Sequence, residues 1–226
     1  MRTSRLYLAV KAISGPLFRR LYRIRVEGTD HLPLTGPVIV AANHVSFADS
    51  LFLPLSCPRP MVFLAHEYLF KDWRIAWFFK TIGMIPVGQR GRARGQAALE
   101  AGLKVLAAGG VLGVYPEGTR SPDGALYRGH TGVARFALAS RAPVVPVGLI
   151  GCREVWPRSA RWPKLRGRVT VVFGKPLHLP HHLDKPVDPA LLRAVTYEIM
   201  SEVRSLSGQD YVDRYATNEH RGGARR

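Results

Sequence analysis

The sequence predicts an α/β fold, a mixed central β-sheet flanked by helices, and three observations carry that expectation. Short apolar runs with strand character alternate with segments of helical periodicity along most of the chain. The chain holds 226 residues with 46% hydrophobic composition, enough for one full domain with a sizeable core. No internal repeat divides it into smaller units.

The elements follow in order. Residues 1–25, MRTSRLYLAVKAISGPLFRRLYRIR, carry seven basic residues and no acid, the first acid being Glu27. Leu6, Val10, Ile13, Leu17, Leu21 and Ile24 recur at steps of three and four, the spacing of an amphipathic helix. Gly15-Pro16 should kink or split it. Such a helix either packs on the domain or lies in a lipid interface with its cations on anionic headgroups, and the pattern leaves both open. IRVEG and PVIVAA read as strands, DSLFLPLS as a short helix and MVFLAH as a third strand. The aromatic, cationic stretch 70–83, with Trp73 and Trp77, reads as helical and MIPV as a strand. RGQAALEAGLKVLAAGG is a helix with Leu99, Leu103 and Leu106 on one face and Gly109 as its stop. VLGVY is a strand, TGVARFALAS a helix, and PVVPVGLIG and VTVVFG are strands. Asp188-Pro189 cap and start a last helix whose apolar face is Leu192, Val195, Ile199 and Leu206. The organisation expected is an N-terminal amphipathic segment (1–25), a main domain (26–216) and a flexible basic tail (217–226).

Composition narrows the chemistry. A formal charge of +17 and a pI near 10.7 favour polyanionic partners: nucleic acid, an anionic membrane surface or phosphorylated small molecules. Two cysteines, Cys57 and Cys152, are too few for a disulfide framework, and no Cys/His cluster has zinc spacing, so no metal site and a reducing setting are expected. No window of about 20 apolar residues is present to span a bilayer. Lys11 interrupts the N-terminal apolar stretch and no small-residue cleavage site follows, so no signal peptide is expected.

Two polar clusters stand at strand ends. In NHVSFAD, His44 follows the PVIVAA strand and Asp49 lies five residues on, where a carboxylate can fold back onto the imidazole, select its tautomer and support the imidazolium. Alone the pair is common by chance, and Ser46 or Asp49 could serve only as a helix cap. No G-x-S-x-G is present, and neither cysteine has a basic neighbour in sequence, so a substrate hydroxyl is a better target for His44 than an enzyme nucleophile. The second cluster is YPEGTRS, Tyr115 to Ser121, after the VLGVY strand. Here Arg120 suits a phosphate and Glu117 should pair with an arginine or accept from a sugar or glycerol hydroxyl. Arg90, Arg92 and Arg94 after MIPV, and Arg128-Gly129 before a helix, are further anion-site candidates or solvated basic loops. The segment 153–168 mixes six cations with Trp156 and Trp162, which suits a membrane interface or single-stranded nucleic acid.

The order N-H-x-S-x-x-D, G-x-I-P-V, Y-P-E-G-T-R-S and V-P-V resembles the glycerophospholipid acyltransferases, most of all the bacterial 1-acyl-sn-glycerol-3-phosphate (lysophosphatidate) acyltransferases. The resemblance runs from about residue 25 to 175, and SGQDYVDRY near the C-terminus is similar to a subgroup of these enzymes. It implies His44 and Asp49 as the catalytic pair, and an acceptor site at Glu117, Gly118, Thr119 and Arg120. Members usually carry an arginine three residues after the proline of the second motif, where this chain has Gln89, so the role passes to the adjacent Arg90 or to another cation. Arg128 stands where a lysine is common. The reaction implied is acyl transfer from acyl-CoA or acyl-carrier protein to a lysophospholipid, giving phosphatidic acid, with no cofactor and no metal. Other acceptors such as glycerol-3-phosphate, thioester hydrolysis, and basic nucleic-acid binding are the alternatives. The partners expected are the acceptor, the acyl thioester and an anionic membrane surface at the cytoplasmic face of the cell membrane, reached by peripheral or monotopic association; nucleic acid is not expected.

Overall fold

PVIVAA sets the frame of the molecule. It forms strand β2 (Val38–Ala42), every residue of which is buried, as expected for a strand covered on both faces. Val38, Val40 and Ala42 join one apolar cluster and Ile39 and Ala41 another, so the period of two divides the core into two layers across the sheet. The computed structural model describes residues 5–70, 76, 84–87, 91–179 and 186–217. Most of the stretch 70–83, including Trp73 and Trp77, lies outside the described residues, as do Arg90 and the tail beyond 217.

The other strands are β1 (Ile24–Glu27), β3 (Met61–His66), β4 (Met84–Val87), β5 (Val111–Val114), β6 (Leu126–Tyr127), β7 (Val144–Ile150), β8 (Val169–Phe173) and β9 (Tyr211–Val212). Seven of them form one mixed sheet in the order β1-β8-β7-β2-β5-β3-β4, and β7–β8 is its antiparallel junction. β7, β2 and β5 are parallel neighbours, so their carboxyl ends open on one edge. The chain leaves β2 for β3 on one side and later enters β7 on the other, and loops that part in this way leave a crevice between them.

Helices α1 (Arg5–Leu21) and α2 (Asp49–Ser56) serve the first core layer, where Phe18 and Tyr22 meet Phe52 with ring centroids 6.5 and 5.1 Å away. Helices α3 (Gly91–Ala107), α4 (Gly132–Ser140) and α6 (Pro189–Ser207) serve the second, and α5 (Cys152–Val155) is a single turn after β7. The helix α1 runs through Gly15-Pro16 without splitting. Pro16 removes one backbone donor, while Phe18, Leu21 and Tyr22 pack the turns beyond it and Lys11 donates to the Cys57 carbonyl. The C-terminal half of α1 therefore packs on the domain. A boundary at residue 25 would cut β1, which pairs in register with β8 from Ile24.

Asp188 caps α6 as expected, accepting from the Leu191 amide at 2.7 Å, with Pro189 at the first turn. Its buried face continues from Ile199 to Val203 rather than to Leu206, which is half-buried. Strands β6 and β9, two residues each, pair in a separate parallel ribbon that ties the C-terminal segment beside the Tyr115–Ser121 turn.

Candidate active site

NHVSFAD folds into a tight turn between β2 and α2, and Asp49 is its centre. The Asp49 Oδ2 atom accepts from His44 Nδ1 at 2.8 Å and from the amides of Val45 and Ser46, both at 2.7 Å. Asp49 is completely buried, and the His44 side chain is 16% exposed. With Nδ1 engaged, Nε2 is the nitrogen left to act on a substrate. Ser46 is no rival nucleophile: it is buried, donates through Oγ to the Trp156 carbonyl at 2.7 Å and accepts from the Ala48 amide at 3.0 Å. Cys152 is buried as well, and burial followed by the charge of Asp49 holds its thiol well above the usual range.

YPEGTRS grips the backbone of His44 from both sides. Glu117 Oε1 accepts from the His44 amide at 2.8 Å, and the Ser121 amide donates to the His44 carbonyl at 2.7 Å. Glu117 Oε2 accepts from the Tyr127 amide at 3.0 Å, so one carboxylate joins the His44 turn to β6. Glu117 is completely buried. The sequence suggested an arginine or a substrate hydroxyl as its partner; in the structure each oxygen accepts from a main-chain amide. Gly118 completes the turn at φ +70°, and a Cβ there would lie 2.9 Å from the His130 ring, so only glycine fits without strain.

Burial is the main influence on the Glu117 carboxyl, opposed by the Tyr127 and His44 amides, and it is pushed from 4.5 up to about 7. The folded state therefore holds this proton more tightly than the unfolded state does. Its stabilising contribution is complete below pH 4.5 and is lost as pH rises to about 7. Relative to Glu117→Gln, the wild-type protein should lose about 3 kcal/mol of stability across that window. Urea unfolding of both proteins at several pH values reads this directly, and a gap independent of pH would refute it.

Beneath the imidazole lies an aromatic stack that motif spacing does not encode. Tyr115 stacks on His44 with centroids 4.1 Å apart and planes 12° from parallel, and Phe63 stacks on Tyr115 at 5.4 Å. Phe63 fits because Gly113 has no side chain: a Cβ there would stand 2.4 Å from the Phe63 ring. Burial first, then the charge of Asp49, raises the Tyr115 phenol well above its usual range, so Tyr115 is a neutral floor for the imidazole.

The expected cations separate. Arg120 is half-buried one residue before the amide that holds His44, and burial followed by the neighbouring Arg158 lowers its affinity for a proton, with Asp49 opposing. Arg158 Nη1 donates to the Arg120 carbonyl at 2.9 Å, so two guanidinium-bearing residues meet beside the histidine. Thr119 is half-buried in the same turn. Arg128 departs from expectation: Nε and Nη2 fork onto the Asp213 carboxylate at 2.8 and 3.0 Å. It fastens the C-terminal segment, whereas the sequence offered it as an anion-site candidate or a solvated basic loop. Arg92 also lies in α3, because the helix starts at Gly91, three residues before the start at Arg94 that the sequence suggested. Among the described residues no three His, Cys, Asp or Glu side chains gather to hold a metal ion.

Residues 23–150, more than half of the chain, match the acyltransferase family model. The chain belongs to the acyltransferase family. This acyltransferase chain is 26% identical over 188 residues to the 1-acyl-sn-glycerol-3-phosphate acyltransferase of Bacillus subtilis, an alignment covering 82% of this chain and 89% of that one. It is 29% identical over 158 residues to the chloroplastic 1-acyl-sn-glycerol-3-phosphate acyltransferase LPAT1 of Arabidopsis thaliana, across 70% of this chain and 44% of the plant protein. The chain thus spans under half the length of that relative. Its fold matches the crystal structure of the 1-acyl-sn-glycerophosphate (LPA) acyltransferase PlsC from Thermotoga maritima with a TM-score of 0.69 at 26% identity, covering 88% of this chain and 79% of that one.

The candidate site is also tied together by hydrogen bonds that motif spacing does not show. Asn43, completely buried, exchanges two hydrogen bonds with the Leu149 main chain at 2.7 and 2.9 Å and donates to Gln209 Oε1 at 2.7 Å. Gln209 Nε2 donates in turn to the Gly124 carbonyl at 2.6 Å. The C-terminal SGQDY segment is thereby buckled to the residue preceding His44. The resemblance of SGQDYVDRY to a subgroup of the family had marked this segment, but not its partner.

Proposed function

We propose that the protein transfers a fatty acyl group from an acyl thioester to the free hydroxyl of 1-acyl-glycerol-3-phosphate, giving phosphatidic acid. The observation that carries the reading is the His44–Asp49 pair held at the carboxyl edge of the sheet, with both main-chain polar groups of His44 clamped by the Tyr115–Ser121 turn. The names of the relatives supply the acceptor class. His44 Nε2 takes the hydroxyl proton as that oxygen attacks the thioester carbonyl. The carbon–sulfur bond then breaks, and the thiolate leaves with the proton returned from the imidazolium. Asp49 holds the tautomer and stabilises the imidazolium.

With Ser46 tied to main-chain partners and Cys152 kept as a thiol, direct transfer without an acyl-enzyme is the route these residues favour. Arg120, with Arg158 beside it, places the acceptor phosphate so that the hydroxyl meets Nε2. The donor is acyl-CoA or acyl-carrier protein, both anionic and suited to a chain of charge +17. Among the described residues no helix is long and apolar enough to cross a membrane. The protein meets its lipid acceptor by peripheral or monotopic contact at the cytoplasmic face. Thiol release from palmitoyl-CoA, with and without 1-acyl-glycerol-3-phosphate, tests the reaction. Release that depends on acceptor and yields phosphatidic acid supports it; release indifferent to acceptor assigns hydrolysis instead.

A further inference from the structure

The basic, tryptophan-bearing loop after β7 is built into the site at its inner end only. The Trp156 carbonyl receives Ser46 Oγ and Arg158 reaches the Arg120 carbonyl. Further out, Trp162 is 73% and Leu165 82% exposed, three residues apart, and Arg161, Lys164, Arg166 and Arg168 are exposed around them. No acidic residue occurs between Val155 and Arg168. The loop nevertheless has a defined shape. Trp156 Nε1 donates to the Ala160 carbonyl at 3.1 Å, the Lys164 amide to the Val155 carbonyl at 2.8 Å, and the Arg161 guanidinium lies 5.9 Å from the Trp162 ring centre.

Register fixes where this loop projects. Ile150 pairs with Thr170 across β7 and β8, so residues 151–168 leave from the carboxyl edge of β7, the edge that carries His44 and Glu117. Ile24 pairs with Val169, which brings the end of α1, with exposed Arg19, Arg20 and Arg23, to the same edge. An indole and a leucine held in water, in a stretch of cations that carries no acid, match the chemistry of an anionic bilayer surface: apolar tips for the headgroup boundary, cations for its phosphates.

We propose that the 156–168 loop is a lipid-surface contact that seats Trp162 and Leu165 in an anionic bilayer, with Arg161, Lys164 and Arg166 on its headgroups, and so holds the His44 edge of the sheet against the membrane. The proposal deepens the reading of a lipid acceptor and rests on it for its purpose, while its test needs no turnover. Full-length protein is sedimented with vesicles of phosphatidylcholine alone or of phosphatidylcholine with phosphatidylglycerol. Trp162→Ser/Leu165→Ser should weaken binding to the anionic vesicles about tenfold. Leu34→Ser, at a leucine 79% exposed before β2 on the opposite edge, should leave it unchanged. Arg161→Gln/Lys164→Gln/Arg166→Gln should remove most of the preference for anionic vesicles and its salt sensitivity. Transfer to a detergent-dispersed acceptor should survive in Trp162→Ser/Leu165→Ser. Wild-type protein that ignores anionic vesicles, a double variant that binds like wild type, or one that falls no further than Leu34→Ser overturns the proposal. Loss of single-stranded oligonucleotide binding with vesicle binding intact overturns it too and assigns the loop to nucleic acid. His44→Ala should bind vesicles as wild type does, so failure of the reaction and failure of the contact are read separately.

Discussion

Replacing His44 with alanine should lower acceptor-dependent acyl transfer by about 10²- to 10⁴-fold, the range a positioned general base contributes, while the protein stays folded. The two effects separate because of what holds this residue. Its amide and carbonyl are bonded to Glu117 and Ser121, and alanine keeps both groups. The imidazole adds its bond to Asp49 and its stack on Tyr115, so some stability is lost, but the turn keeps its frame. Steady-state transfer measured beside a urea unfolding curve checks both halves. A folded His44→Ala protein with undiminished transfer would remove His44 from the chemistry and leave the motif as a turn.

The layers of the fold were legible because each rests on a local rule. β2 reads as one apolar run because both its faces are covered, and Asp188-Pro189 announces a helix start through chemistry contained within four residues. At Gly15-Pro16 the helix does not split, for the converse reason. A proline rule is local, whereas α1 is held by Phe18, and by Tyr22 just beyond its end, packing on Phe52, 30 or more residues away in sequence. The site divides in the same way. His44 and Asp49 are five residues apart, and their contact closes within a single turn. Glu117 was read as pairing with an arginine or accepting from a substrate hydroxyl because a carboxylate would repel a phosphate. Its actual partners are the amides of His44, 73 residues before it, and of Tyr127, ten residues after it. The ion pair of Arg128, an anion-site candidate in the sequence, was not legible because its acceptor, Asp213, is 85 residues away. Long-range closure, such as the Asn43–Gln209 buckle, has no signature in spacing at all.

The second large effect is at Asp49, where two substitutions distinguish orienting a base from building a turn. Asp49→Leu removes the acceptor for three donors, two of them buried main-chain amides, at a position with no exposure. Each stranded buried donor costs about 1–3 kcal/mol, so this variant should lose several kcal/mol in urea unfolding together with its activity. Asp49→Asn keeps an oxygen able to receive the Val45 and Ser46 amides, so its stability should fall far less. Its cost lies in the chemistry. The amide carries no charge to support an imidazolium, and it no longer compels the tautomer with Nδ1 protonated, so Nε2 ceases to be reliably available as a base. Transfer should therefore drop about 10²- to 10⁴-fold in a protein that unfolds close to wild type, as loss of the orienting carboxylate does in other histidine-dependent sites. Asp49→Asn with full transfer would make Asp49 only the keystone of the turn, and His44 would then work without its support. Asp49→Asn as unstable as Asp49→Leu would mean that the charge itself holds the two amides, and structure and catalysis would share one cause at this residue.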